Sequence, residues 1–144
     1  MRIDGEWVLG DDGETRPMVR VNLLTGTGDW VPAAFQIDTG ADRTVLAAEA
    51  LLRLGREPQP APRQLGGVGG EVETVTVYTQ LQFTRADGGT ALIGSDFSGF
   101  LDPVALDVSV LGLDVLKNFS VILDYAGRVV CFLHGRHRYS IQES

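Results

Sequence analysis

The fold is decided by one stretch of the sequence, Ile37-Asp38-Thr39-Gly40-Ala41-Asp42. The apolar, β-branched residues 31–37 predict a strand that ends at Asp38, which would hold its carboxyl group at the edge of the core. Hydrolysis of an amide by water needs a base to activate the water and an acid to protonate the carbonyl oxygen. Two adjacent carboxyl groups that share one proton supply both roles, because two like charges so close cannot both be ionised. By itself, an Asp-Thr-Gly that follows a strand also fits a plain tight turn.

A second signal is the glycine-rich stretch Leu65-Gly66-Gly67-Val68-Gly69-Gly70. Four glycines around one valine favour a mobile hairpin tip that lays backbone amides over an extended substrate. A flexible turn without function is the alternative. A phosphate-binding loop is excluded, because the stretch has no Gly-Lys-Ser/Thr ending and no helix follows it.

The third signal is Val110-Leu111-Gly112-Leu113-Asp114-Val115-Leu116. Two apolar residues and a glycine before a helix can pack behind an active-site loop. An ordinary strand-to-helix junction would have the same pattern. Residues 35–40 also show it, since they too are an apolar strand and a glycine that lead into a helix.

The rest of the chain predicts a mainly β protein. Residues 75–83 alternate apolar with polar side chains, which indicates a half-buried strand. No linker interrupts the 144 residues, so we expect a single domain over residues 1–144. Further strands are predicted at residues 18–24, 31–37, 90–93, 120–125 and 128–133, and helices at residues 47–54 and 113–118.

The three signals, in this order, resemble the retropepsin family of retroviral-type aspartic proteases. Residues 35–46 match the family signature Asp-Thr-Gly-Ala-Asp-x-Thr-Val-Leu, and residues 66–70 look like its flap. Residues 108–116 are similar to the closing motif of the retroviral-like domain in the DNA-damage-inducible ubiquitin shuttle proteins. The resemblance covers about residues 16–133, and it implies a closed acid-protease barrel with one or two short helices, a β-hairpin flap and a twofold homodimer.

The resemblance also assigns roles to residues. Asp38 of each chain would lie at the dimer centre as the catalytic group, beside Gly40, with the Thr39 hydroxyls bonding across the interface. The expected substrate-binding residues comprise the rest of the Asp38 loop, the flap and one wall residue: Ala41, Asp42, Gly66, Gly67, Val68, Gly69 and Val110.

Four features depart from the viral pattern. Leu113 stands where retroviral enzymes place an arginine that supports the residue equivalent to Asp42, so that brace is absent or built differently. Arg43 replaces a second acidic residue, which prevents any transfer of specificity. An insertion at residues 85–107 and an extra segment at residues 1–15, which would add a strand, put the arrangement of the dimer interface in doubt.

The sequence therefore predicts an aspartic endopeptidase that hydrolyses peptide bonds with water, using Asp38 from two identical chains. We expect no metal, no cofactor and no covalent intermediate, and a substrate that is an extended peptide with apolar residues around the cut. The alternative is a catalytically idle peptide-binding or dimerisation module of the same fold. A barrel that binds a small ligand would explain neither the flap nor the signature.

Composition restricts the other functions. A net charge of -7 argues against nucleic acid as a partner. No apolar run approaches the roughly 18 residues of a membrane span, and residues 1–6 lack the features of a signal peptide, so we expect a cytoplasmic protein.

Three weaker candidates for chemistry are given structural interpretations. The single cysteine, Cys131, lies in an apolar run and is interpreted as a buried, inert thiol. His134 and His137 are interpreted as a solvated turn, and Ser95 and Ser98 as a loop. A cation held by Asp38, Asp42 and Asp114 carries little weight, because their spacing is not that of a calcium loop.

Ala41 generates the first prediction. A serine at this position could donate a hydrogen bond to the catalytic carboxylates, which stabilises their charged form and lowers their pKa. Because alanine cannot, we expect a less acidic optimum than that of digestive aspartic proteases. Ala41→Ser should move the acidic limb of the pH–rate profile to lower pH; an acidic limb that stays in place would contradict this reasoning.

Overall fold

The computed structural model describes residues 1–61, 65–67 and 70–144, and for residues 65–67 and 70–72 it describes the backbone alone. The described elements are, in chain order, β1 (Arg2–Asp4), β2 (Glu6–Leu9), β3 (Thr15–Leu24), β4 (Trp30–Ile37), β5 (Val45–Leu46), α1 (Ala48–Leu54), β6 (Gln59–Pro60), β7 (Leu65–Gly67), β8 (Gly70–Val72), β9 (Thr74–Thr84), β10 (Thr90–Phe100), β11 (Ser109–Leu111), α2 (Leu113–Leu116), β12 (Ser120–Asp124) and β13 (Val129–Leu133).

Six strands form a closed barrel in the order β3-β4-β11-β5-β10-β9, and β9 completes it by pairing with β3. Two pairs, β4 with β11 and β5 with β10, are parallel, and the others are antiparallel. β2 adds to the outside of β3, and β6 adds to β9. The predicted fold class, a mainly β closed barrel with two short helices, is confirmed.

The core forms because the strands alternate buried and exposed positions. In β9 every second residue from Val75 to Phe83 is buried, as predicted, including Thr79, whose hydroxyl donates to the Leu24 carbonyl. Phe83 makes edge contacts with Phe119 and Phe132, with ring centroids 5.9 and 6.4 Å apart. This aromatic cluster joins the barrel to the C-terminal hairpin.

The extra N-terminal segment forms two strands, β1 and β2. β1 pairs with β13, and β13 pairs with β12, which gives a second sheet in the order β1-β13-β12. Ile3 of β1 is only 1% exposed and belongs to the core. The Trp7 indole N–H of β2 donates to the Val129 carbonyl at 3.0 Å. The first residues of the chain are therefore tied to the last strand.

The prediction of a loop at residues 94–99 is wrong, because these residues belong to β10. Ser95 and Ser98 were expected in a loop, but β10 continues through them to Phe100 and pairs with β9 along its whole length. The backbone ladder does not depend on side-chain pattern, and so it overrides the weak strand propensity of the glycines. Gly99 has a packing reason, because a Cβ there would lie 2.7 Å from Leu51 of α1.

The second helix is also shorter than predicted. α2 ends at Leu116 rather than at residue 118, since the Asn118 and Phe119 amides donate to carbonyls three residues earlier. The first helix begins one residue after the predicted position and ends, as predicted, before Gly55.

The glycine-rich stretch lies partly in a hairpin. β7 and β8 pair with each other, from Leu65 opposite Val72 to Gly67 opposite Gly70. Val68 and Gly69, the expected tip, lie outside the described residues.

Among the residues that the structure describes, no helix is long and apolar enough to cross a membrane.

Cys131 is buried, at 6% exposed, as the sequence predicts. Burial raises the pKa of its thiol, and the nearby Asp4 acts in the same direction. Because the thiolate is the reactive form, alkylation by iodoacetamide at neutral pH should be slow in the native protein and fast in denaturant. A Leu52→Cys variant, with its new thiol on the exposed face of α1, should gain one fast-reacting group; rapid native labelling of the parent chain would contradict the prediction.

Candidate active site

Asp38 follows the last residue of β4 and lies at the end of the barrel. The Asp38 backbone amide donates to the Leu111 carbonyl of β11 at 3.0 Å, which fixes the point where β4 stops. Asp38 is half-buried as a residue, and its Oδ1 accepts the Gly40 amide at 2.9 Å. Thr39 and Gly40 are exposed. The loop therefore presents an oriented carboxylate next to an accessible backbone.

The Asp38 stretch and the Val110 stretch lie side by side because β4 and β11 are parallel neighbours. Val110 lies opposite Gln36 on one side and opposite Val45 on the other. It is half-buried, and the next residue, Leu111, accepts the Asp38 amide. The role of Val110 as a wall of a side-chain pocket stays a prediction.

The segment after β11 packs against the Asp38 loop through its backbone. The Leu113 amide donates to the Ala41 carbonyl at 2.8 Å, and the Asp114 amide donates to the Asp42 carbonyl at 3.1 Å. Gly112 allows this approach, because a Cβ there would lie 2.5 Å from the carbonyl carbon and oxygen of Arg43. α2 thus begins directly behind the loop, as the third signal predicted.

Buried Thr44 and half-buried Asp114 join the loop and α2 through their side chains. Oδ1 of Asp114 accepts hydrogen bonds from the Thr44 hydroxyl at 2.7 Å, from the Thr44 amide at 2.9 Å and from the Val115 amide at 2.9 Å. The Thr44 hydroxyl in turn accepts the Gly112 amide at 3.0 Å, and Thr44 is 0% exposed. A carboxylate that accepts several hydrogen bonds, two of them from backbone amides, is a strong local anchor.

The Thr44–Asp114 pair explains how the loop is supported although Leu113 stands where retroviral enzymes place an arginine. The Leu113 side chain is 42% exposed, and its contribution to the loop is its backbone amide. The loop is supported instead by Thr44 and Asp114. Sequence reasoning missed Thr44, although it is the threonine of the Asp-Thr-Gly-Ala-Asp-x-Thr signature, and considered Asp114 only as a weak cation ligand.

The predicted site residues fall into two groups. Residues 38–42 and Val110 come together at one end of the barrel, and both Asp42 and Arg43 are exposed there. Gly66 and Gly67 lie in the separate β7–β8 hairpin. Val68 and Gly69 lie outside the described residues.

The described residues around the site form no preformed metal centre. In the described part of the chain, no group of three or more His, Cys, Asp or Glu side chains is arranged to hold a metal ion.

Two surface cavities of about 300 and 370 Å³ are lined by residues other than Asp38. Hydrogen bonds from Arg16 hold the pKa of Asp12 well below its usual range, but this pair lies at the β2–β3 turn.

Comparisons with known proteins bear on the family and the fold of the chain. The sequence model of the aspartyl protease family matches residues 19–97. The structure is similar to that of the EIAV protease in complex with the inhibitor HBY-793, with a TM-score of 0.54 and 27% identity over 76% of this chain and 92% of that one. It is also similar to a retropepsin-like aspartic protease from Rickettsia conorii, with a TM-score of 0.60 and 18% identity over 92% of this chain and 89% of that one. The second likeness shows the fold alone. A comparison with curated proteins finds no match.

The Thr44–Asp114 pair generates a prediction. Thr44→Val keeps the side-chain volume but leaves the buried Gly112 amide without its acceptor, which should lower the free energy of unfolding by about 1–3 kcal/mol. Thr44→Ser keeps the hydroxyl and is the matched control. Urea denaturation measures both; equal stability of the two variants would show that the hydroxyl does not hold the loop.

Proposed function

The chain belongs to the aspartyl protease family, and we propose that it is an endopeptidase whose active site forms when two copies each contribute Asp38. The observation that carries the proposal is the Asp38 carboxylate itself. It lies at the end of β4, is oriented by the Gly40 amide and is left half exposed. The chain has one Asp-Thr-Gly, so the second carboxyl group has to come from a second chain.

The proposed reaction uses a water molecule held between the two carboxyl groups. One Asp38 is ionised and accepts a proton from the water as its oxygen attacks the peptide carbonyl carbon. The other is protonated and donates to the carbonyl oxygen, because paired carboxyls share one proton. The C–N bond then breaks as the amine nitrogen takes a proton from the Asp38 that received one from the water, and a hydroxyl of the diol intermediate returns a proton to the other Asp38. The pair again holds one proton, with the two roles exchanged.

The braced loop supports this chemistry, since acid–base catalysis needs groups held within hydrogen-bond reach of the reacting atoms. The backbone bonds to Ala41 and Asp42 and the Thr44–Asp114 pair attach the segment after Asp38 to α2. Little of the loop therefore has to be ordered when the substrate binds.

The proposed substrate is an extended polypeptide with apolar residues around the cut. The exposed backbone at Gly40 and the exposed Asp42 can bond to a peptide backbone, and Val110 offers an apolar surface to a side chain. The β7–β8 hairpin, including Gly66 and Gly67, is the proposed flap that covers the peptide. The similar EIAV protease binds the inhibitor HBY-793, which supports the presence of a ligand-binding site in this fold.

Substitution of the proposed nucleophile-activating group tests the function. Asp38→Asn removes the ionisable groups of the dyad, and the initial rate of cleavage of a peptide library should fall by about 10²–10⁴-fold or more. Asp29→Asn makes the same charge change at an exposed turn residue and should leave the rate unchanged. Cleavage that survives Asp38→Asn would refute the assignment, and peptide binding without any cleavage by the parent chain would favour the idle binding module.

A further inference from the structure

The larger of the two surface cavities, of about 370 Å³, lies on the same face of the sheet as the Asp38 side chain. Phe35 and Ile37 of β4 point into the core, where they are 0% and 4% exposed. Asp38 continues the β4 ladder, because its amide donates to the Leu111 carbonyl. Since strand side chains alternate, Gln36 and Asp38 share the face opposite the core, with Cα atoms about 6–7 Å apart. Gln36 lines the cavity, so a peptide that lies across Asp38 reaches it.

The strands on both sides of β4 give the cavity apolar walls. Met18 of β3 lies opposite Gln36 and lines the cavity. Val108, just before β11, also lines it, and Val110, two residues later, lies opposite Gln36 on the other side. Met18 and Val108 are both half-buried. The part of the cavity beside Gln36 can therefore hold an apolar stem.

The rim of the cavity is acidic. Asp11 and Asp12 of the β2–β3 turn and Asp107 of the loop before β11 line the cavity, together with one cation, Arg16. Arg16 forms an ion pair with Asp12, and its Nη1 donates to Asp12 Oδ1 at 3.0 Å. Asp11 and Asp107 are exposed. Three carboxylates against one guanidinium leave the cavity with two uncompensated negative charges.

Two distant segments of the chain form this rim together. The pKa of Arg16 is raised mainly by its hydrogen bond with Asp12, and the charge of Asp107 acts in the same direction, so Asp107 lies near the β2–β3 turn. The turn belongs to the extra N-terminal segment, and Asp107 ends the insertion at residues 85–107. The acidic rim is therefore built by the two segments that depart from the viral pattern.

We propose that this cavity is a side-chain subsite of the protease, and that it selects a lysine or arginine within about three residues of the cut in an extended substrate. The methylene stem packs on Met18 and Val108, and the cationic head lies between Asp11 and Asp107. This inference rests on the proposed function, because it requires the peptide to lie across Asp38. The substrate then combines apolar residues at the cut with a cation beside them.

The chemistry of the cavity suits a long cationic side chain. Lysine and arginine bury an apolar stem while the charged head stays in contact with water, and this rim is exposed. Among the residues that the structure describes, none hydrogen-bonds to the side-chain amide of Gln36, whose oxygen can accept from the head. A glutamate in the same place would be repelled by the two free carboxylates.

Cleavage of matched peptides tests the selection. The probes share one alanine-leucine scaffold and carry lysine, norleucine or glutamate at each position in turn within three residues of the cut. Norleucine has the stem of lysine without the ammonium group. At the best position, kcat/KM for the lysine peptide should exceed that for norleucine by about fivefold or more, the upper range of an exposed ion pair. The glutamate peptide should be cleaved more slowly still, and high salt should reduce both differences.

Variants assign the preference to the cavity. The double variant Asp11→Asn/Asp107→Asn should lose most of the preference for lysine over norleucine, and Asp11→Lys/Asp107→Lys should favour glutamate instead. Asp102→Asn is the matched control, because Asp102 is exposed in the same loop as Asp107 but does not line the cavity. An asparagine there can still accept the Val104 amide, so its preference should equal that of the parent chain.

The outcomes separate the subsite from the protease. Asp38-dependent cleavage with equal kcat/KM for lysine and norleucine refutes the subsite alone, and so does a lysine preference that survives the double asparagine variant. If no Asp38-dependent cleavage occurs, the proposed function fails, and fluorescence anisotropy with the same peptides, labelled, judges the cavity. Tighter binding of the lysine peptide by the parent chain than by the double asparagine variant then supports a cation-selective peptide site; equal binding, or none, overturns it.

Discussion

The hydrogen bonds between Thr44 and Asp114 are the constraint on which the rest of the site depends. One carboxylate oxygen accepts three donors, and the hydroxyl that it binds is itself the acceptor for the Gly112 amide. Thr44 is buried and Asp114 is half-buried, and a polar network that is removed from water is stable only when its members are satisfied. It therefore fixes the end of the Asp38 loop, at Thr44, against the start of α2.

The barrel makes this network possible. Closure of six strands brings β4 and β11 side by side as parallel neighbours, although the residues that they carry are far apart in the sequence. The Asp38 loop and α2 follow these two strands at the same end. The site is therefore built on rigid elements, while Thr39 and Gly40 remain accessible at its surface.

A single chain supplies one of the two carboxyl groups that the proposed reaction needs. Asp38 is half-buried, and its Oδ1 accepts the Gly40 amide of its own chain. If a second copy supplies the other carboxyl group, association and catalysis become one event. The stability of the dimer would then set the concentration at which the protein is active.

The sequence by itself determined the features that depend on local pattern. The alternation in β9, the helix that ends at Gly55 and the placement of Asp38 at the end of β4 follow from residues that are close together in the chain. The site loop was predicted for the same reason, because its signature is contiguous.

Only the tertiary structure decided the features that depend on distant partners. β10 continues past its glycines because β9 offers a complete ladder of hydrogen bonds, and Thr44 gains its role from a carboxylate 70 residues away. The N-terminal strands form because β13 and β3 provide edges for them. A strand pairing or a buried hydrogen bond is fixed by what lies opposite, and the residues opposite are not neighbours in the sequence.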